Sequence, residues 1–262
     1  ILGHLTDVLV CSSAELSQLS GISQPTLSRL YRKLGYHSAG DFKHDVRRYH
    51  QPGAPETATP DAPPDDPVKE QLNRDIDSLK RTYARISVEL VTSIADRILD
   101  SRLVALLGLR NSYPIALHLR EQLIQTRGNV RMIHLPGQSL AEEIVDLGPA
   151  DLAILVGVRR RMTMFGPLAS ALHSQNVPMI IIGDSTLRRT ATAVEATFLE
   201  VDLNSRVLPS FTAAFSVVAL LANAVADRSR QRGIPGGGDD RIAEINDRFA
   251  ALGETESTRR RP

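Results

Sequence analysis

Hydrophobic and polar positions follow two different periods along this chain. Between Ser12 and Gly35 (SSAELSQLSGISQPTLSRLYRKLG) the period is helical. Leu16 and Leu19 point inward on one predicted helix, and Leu27, Leu30 and Leu34 repeat at i, i+3 and i+7 on a second. Gly21 lies between them, where a steep helix–helix turn calls for φ > 0, and Ile22 packs the turn. Helical spacing resumes at Val68: Leu72, Ile76, Leu79 and Tyr83 form one apolar stripe. Leu90, Ile94 and Ile98 form another on a helix from about Ser87 to Leu99, and both stripes are expected to pack on the domain that follows. From Leu103 the pattern changes to short apolar runs, LVALLG (103–108), VRMIHL (130–135), DLAILVG (151–157), VPMIIIG (177–183) and ATFLEV (196–201). Helical stretches at about 113–126, 139–147 and 164–175 separate them, with at most a short helix over 185–193. Strands alternating with helices predict a mainly parallel sheet covered on both faces. Phe211–Ala226 lies in a helix (210–230) that is apolar around most of its circumference, so it must be buried in the domain or between subunits. A Gly-rich break at 236–238 precedes an amphipathic helix with Ile242, Ile245, Phe249 and Leu252 on one face.

Composition divides this pattern into parts. Residues 51–67 hold six prolines and three alanines with scattered acids, which excludes a helix interior and reads as a linker. The expected organisation is a helix-turn-helix over 1–50, the linker 51–67, an α/β domain with leading helices over 68–253, and a disordered tail at 254–262. The chain begins at Ile1 rather than Met, and the first helix of the N-terminal domain is expected to precede it. The apolar stretch from Phe211 is interrupted by Thr212, Ser216 and Asn223 and is shorter than the roughly 20 residues of a membrane span. With no signal peptide visible and one cysteine, Cys11, the chain reads as cytoplasmic, with Cys11 a small buried or half-buried side chain. The net charge of +1 is uninformative in itself, but residues 1–50 carry six Lys/Arg against four Asp/Glu, whereas 51–68 carry four acids and no base.

The helical N-terminal segment carries local chemistry as well. Ser12 and Glu15 have capping-box spacing, Ser23 is placed to cap the second helix, and Pro25 is tolerated in its first turn. Opposite the leucines stand Gln24, Thr26, Ser28, Arg29, Arg32 and Lys33. Gln pairs with adenine edges and Arg with guanine edges in the major groove, and the N-terminal part of a second helix reaches the bases. Ser23, Gln24, Thr26, Ser28 and Arg29 are therefore the expected base readers, with Arg32, Lys33 and Lys43 on phosphates. A plain helical hairpin with a solvated face is the competing reading.

In an open α/β sheet, ligands bind beyond the carboxyl ends of the strands where the strand order reverses. For the order 2-1-3-4-5, the crevice is flanked by Gly108-Leu-Arg-Asn-Ser112 and Gly157-Val-Arg-Arg-Arg-Met-Thr163, each leading into a helix whose N-terminus favours an anion. Arg110, Asn111, Ser112, Arg159, Arg160, Arg161 and Thr163 are the candidate ligand residues. Ser112 and Thr163 would serve equally as plain N-caps. Ser139 and Glu142 form a second capping-box spacing at the helix following the second strand.

Both halves resemble one family. The helix-turn-helix through RKLGY, followed by DFKHDVRR, is similar to the N-terminal domain of RpiR/MurR-type bacterial transcriptional regulators, and residues 85–230 resemble a sugar isomerase (SIS) domain. The resemblance implies a homodimeric or homotetrameric regulator of a catabolic operon that binds double-stranded DNA at an inverted repeat. It implies an anionic effector such as a sugar phosphate or sugar acid, and the five-stranded parallel SIS sheet of order 2-1-3-4-5. The departures fall at the effector site. Arg110 replaces the second glycine of the family's G-x-G-x-S loop. Of the second loop, S-x-S-G-x-T in the family, only Thr163 survives, and Ser-Pro-Leu becomes Ser185-Thr186-Leu187. An SIS domain without ligand, used only for oligomerisation, is a second reading. A phosphosugar isomerase is a third, but Glu121, Glu142, Glu143, His118, His134 and His173 form no catalytic motif. No metal or cofactor is expected.

Overall fold

A computed structural model describes residues 13–42, 66–134, 137–159, 161–203 and 208–254. Cys11, Ser12, Lys43, Arg160, the side chain of Leu19, the linker to residue 65 and the tail from residue 255 lie outside the described residues. The chain divides into two compact units, one of residues 1–62 with 205–208 and one of residues 63–204 with 209–262.

In the first unit, α1 (Ser13–Ser20) and α2 (Gln24–Lys33) meet at Gly21, whose φ of +66° supplies the left-handed turn. Ser17 Oγ donates to the carbonyl of Ile22 at 2.7 Å, fixing the exit from that turn. A small core of Leu16, Leu27, Tyr31 and Phe42 holds the helices, with the Tyr31 and Phe42 rings 4.9 Å apart. One expectation fails. Leu34 is 54% exposed because α2 ends at Lys33 and Leu34 is already its C-cap. The inward position one turn beyond Leu27 is Tyr31, and Leu30 is half-buried.

The second unit is a five-stranded, all-parallel sheet of order β2-β1-β3-β4-β5: β1 (Val104–Gly108), β2 (Val130–Met132), β3 (Leu152–Gly157), β4 (Met179–Gly183) and β5 (Thr197–Glu200). Val104 pairs with both Val130 and Leu152, and Gly157 with Gly183, so β1, β3 and β4 end nearly level. β1, β3 and β4 are apolar throughout because helices cover both faces. Leu106, Ile154 and Ile182 pack under α4 (Val88–Asp100), α5 (Tyr113–Leu123) and α9 (Thr212–Gln231). Their neighbours Leu107, Leu155 and Ile181 pack under α6 (Leu140–Ile144), α7 (Phe165–Ser174) and α8 (Arg188–Ala193). The parallel sense and the strand order are those expected from the sequence. The run 130–135 yields a strand of only three residues, since His134 turns left-handed at φ +63°. Ser139 makes no side-chain cap bond, so the second capping box does not form.

The leading helix α3 (Pro67–Tyr83) is rolled away from the face its sequence pattern predicts. Its buried residues are Ser78 and Thr82, whereas Leu72 is exposed and Leu79 only half-buried. The cause is Asp202, just after β5. Ser78 Oγ donates to the Asp202 carbonyl at 2.6 Å, Thr82 Oγ1 accepts from its amide at 2.9 Å, and Arg81 makes two bonds to its carboxylate. A backbone amide and carbonyl partly withdrawn from water need partners, and α3 supplies both from its polar face. The last helix, α10 (Asp239–Leu252), has no buried residue.

Candidate functional site

On α2, Leu27 and Tyr31 anchor one face in the small core, and the opposite face is free. Ser23, Gln24, Thr26, Ser28, Arg29, Arg32 and Lys33 are all exposed. Ser23 is the N-cap residue by backbone position, with φ −62° and ψ 148°, but its hydroxyl meets Thr26 Oγ1 at 2.9 Å instead of a backbone amide. Arg29, Arg32 and Lys33 have no ion-pair partner among the described residues. The result is a one-sided array of amide, hydroxyl and guanidinium groups on a short helix, with two bases in its last turn.

The crevice lies where the sheet order reverses, between the ends of β1 and β3. Gly108 ends β1 because a Cβ there would lie 2.3 Å from the Ser112 carbonyl oxygen. The chain then makes a 3-10 turn over Arg110–Ser112 into α5. Arg110 opens that turn at φ +56°, a left-handed backbone that a glycine would hold without steric cost. Its side chain and that of Asn111 are exposed, and Arg110 has no partner among the described residues. Ser112 is buried, and its Oγ accepts from the Val158 amide at 3.0 Å, tying the two loops together across the crevice.

The second loop turns the other way. Arg161 donates to the Gly157 carbonyl at 3.1 Å, to Asp184 Oδ2 at 3.0 Å and to Thr186 Oγ1. Its charge is thereby spent on the loop after β4. Arg159 is half-buried, and Thr163 is exposed and does not cap α7, whose N-cap is Met164. Of the candidate ligand residues, the structure leaves Arg110, Asn111 and Thr163 open to solvent, engages Ser112 and Arg161 internally, and leaves Arg160 outside the described residues. Sequence reasoning missed Asp184. Its signal was the Asp-x-Thr spacing after β4, in which Asp184 Oδ1 accepts from the Thr186 amide at 3.0 Å.

The acid and base candidates do not converge on one point. His118 on α5 bonds Gln122 and packs edge-on to Phe215, Glu121 lies exposed on the same helix, Glu142 and Glu143 are on α6, and His173 is on α7. His134, after β2, has a buried Nδ1 without a hydrogen-bond partner. Among the described residues there is no group of three His, Cys, Asp or Glu able to hold a metal, and no helix long and apolar enough to cross a membrane.

No protein-family model matches the chain, and no curated protein is significantly similar to it. Solved structures do match. The sugar isomerase domain of an RpiR transcription factor from Sphaerobacter thermophilus is 21% identical, with a TM-score of 0.61 over 70% of this chain and 99% of that one. The Vibrio vulnificus NanR protein, complexed with ManNAc-6P, is 18% identical, with a TM-score of 0.63 over 96% of this chain and 90% of that one. A Methanococcus jannaschii protein, whose structure was read as that of a 3-hexulose-6-phosphate isomerase, is 18% identical, with a TM-score of 0.51 over 67% and 96%. At these identities the similarity establishes the fold.

Proposed function

We propose that this chain is a DNA-binding transcriptional regulator of the RpiR type, whose SIS unit senses an anionic metabolite of the sugar-phosphate or sugar-acid class. The observation that carries this reading is the exposed face of α2. Seven side chains suited to duplex DNA point outward from a helix anchored by Leu27 and Tyr31. The match to NanR over 96% of this chain, N-terminal segment included, supports it. Two copies would present two α2 helices to an inverted-repeat operator.

The effector would sit over the β1 loop. Arg110 is the unpartnered cation there, and a guanidinium suits a carboxylate or phosphate through paired hydrogen bonds. The site is read as one of binding rather than turnover, since the candidate bases are spread over α5, the end of β2, α6 and α7. The test is fluorescence anisotropy of the full chain with the DNA upstream of its own gene, at low salt and with a scrambled control, with and without sugar phosphates and sugar acids. Specific binding that one of these ligands shifts supports the reading. Equal affinity for scrambled DNA overturns its DNA half. A melting temperature that no such ligand raises overturns its effector half and leaves the SIS unit as an assembly module.

A further inference from the structure

The loops after β1 and β3 that flank the crevice both carry arginine, but they do not offer it alike. In the β1 loop, Arg110 and Asn111 are exposed, and Arg110 has no partner among the described residues. In the β3 loop, the Arg161 side chain is 11% exposed, and that of Asp184, just after β4, is 13% exposed. The guanidinium donates to Asp184 Oδ2 at 3.0 Å, to the Gly157 carbonyl at 3.1 Å and to Thr186 Oγ1. The second carboxylate oxygen, Oδ1, accepts from the Thr186 amide at 3.0 Å and from the Thr186 hydroxyl. Both charges of this unit are therefore met inside it, and its formal sum is zero. Arg159 in the same loop is half-buried and engaged within the protein.

Asp184 meets Arg161 because the ends of β3 and β4 abut. Gly157 pairs with Gly183, and a Cβ on Gly183 would lie 2.5 Å from the Gly157 carbonyl oxygen. The residue after Gly183 thus faces the loop that leaves Gly157. The Val158 amide of that loop is already given to Ser112 Oγ. The starts of the two helices do not separate the loops. The Tyr113 amide bonds the Arg110 carbonyl, the Phe165 amide bonds the Met162 carbonyl, and each helix has a proline in its first turn. The arginines make the difference, and the β3 loop keeps a neutral donor open to solvent, the hydroxyl of Thr163.

We infer that Asp184 sets the charge of the effector: by holding Arg161 it closes the β3 side of the crevice to anions. The ligand then carries its one anionic group at Arg110 and neutral hydroxyls toward Thr163. This rests on the regulator reading for there being an effector at all. A ligand with anions at both ends must bring the second one to Arg161. It has to take the guanidinium from a largely desolvated carboxylate that Thr186 also holds, or share it with that carboxylate at the cost of like-charge repulsion. A hydroxyl meets no such barrier. Sugar acids and sugar monophosphates with a neutral far end fit, whereas phosphorylated sugar acids and bisphosphates are rejected. Asp184 is in this sense a specificity-determining residue that acts through Arg161.

The test is isothermal titration calorimetry of the full chain with matched probes: gluconate, glucose 6-phosphate, the doubly charged 6-phosphogluconate, and their five-carbon counterparts. Wild type is compared with Asp184→Asn, which keeps the size and an acceptor for Arg161 but removes the charge, and with Arg161→Gln, each checked by circular dichroism. The wild type is expected to bind the better singly charged probe about tenfold tighter than its doubly charged counterpart. Asp184→Asn should raise affinity for the doubly charged probe about tenfold and leave the other within about twofold. Arg161→Gln leaves Asp184 as an unpaired charge and should widen the wild-type gap. A wild type that prefers the doubly charged probe overturns the inference, as does a folded Asp184→Asn that keeps the wild-type preference. If Asp184→Asn does not fold, Arg161→Gln decides, since loss of the singly charged probe there would place the anion on Arg161 itself. Binding of no probe by any of the three proteins overturns the effector half of the regulator reading and this inference with it. Binding with the wrong preference overturns this inference alone.

Discussion

Two residues at opposite ends of the sheet show how tightly the chain is held there. Gly108 admits no side chain: a Cβ would meet the Ser112 backbone at 2.3 Å and the Ala116 Cβ at 2.8 Å. Gly108→Ala must therefore push α5 off the sheet, and overpacking of this kind costs about 1–3 kcal/mol, readable in urea unfolding. Asp151, at the opposite end of β3, is buried and accepts from Arg102 at 2.9 and 2.8 Å and from the Gly148 amide at 3.0 Å. The Arg102 hydrogen bonds, aided by the Gly148 amide, hold its carboxyl below the usual carboxylate range against the opposing effect of burial. A depressed carboxylate pKa contributes stability that is fully present above the unfolded value of about 3.9 and is lost as pH falls through the folded value. Asp151→Ala is expected to cost about 1.5–3 kcal/mol at pH 7, the usual worth of hydrogen bonds to a charged group. The gap between the melting curves of wild type and variant should close as the pH drops below about 4. A gap that persists unchanged in acid would mean that packing, and not the ion pair, is what Asp151 contributes.

At the scale of elements, the interior runs were legible and the surface helices were not. The apolar runs at 103–108, 151–157 and 177–183 become β1, β3 and β4 because a strand covered on both faces must be apolar at every position. The stripe Leu72, Ile76, Leu79 and Tyr83 has equally clear periodicity, yet Leu72 is exposed and Leu79 only half-buried, while Ser78 and Thr82 beside it are the buried residues. Periodicity locates a face without saying which partner that face meets, and the Asp202 backbone made the polar side the inner one. Leu34 misled for a simpler reason: α2 stops one residue before it, and a bulky aromatic at Tyr31 had already filled the core. In the crevice, the arginines were legible as charge but not as direction. Arg161 satisfies a neighbouring loop, and only three-dimensional proximity to Asp184 reveals that. The exposed face of α2 yields its own prediction. Arg29→Ala should cost about 1–3 kcal/mol of operator affinity and relax base preference at one position, in competition assays against substituted sites. Uniform loss across all sequences would move Arg29 to the phosphate-contacting class.

For the molecule as a whole, the two units have cores of very different size, four buried apolar residues around α2 against the two large clusters on the sheet. The regulator reading proposed above gives DNA contact to the small unit, whose exposed α2 needs only this small core to anchor it. On that reading, affinity for a full inverted repeat should exceed affinity for one half-site at least tenfold, because two copies on one DNA gain effective concentration and no new DNA contact. Equal affinity for both DNAs would mean that a single copy reads a single half-site.

The bond from the Val158 amide to Ser112 Oγ has a mechanical consequence. It welds the lip of β1 to the lip of β3, and from those lips spring α5 on one side of the sheet and α7 on the other. Displacing either lip strains this bond to the other, so the two helical layers are coupled at the mouth of the crevice.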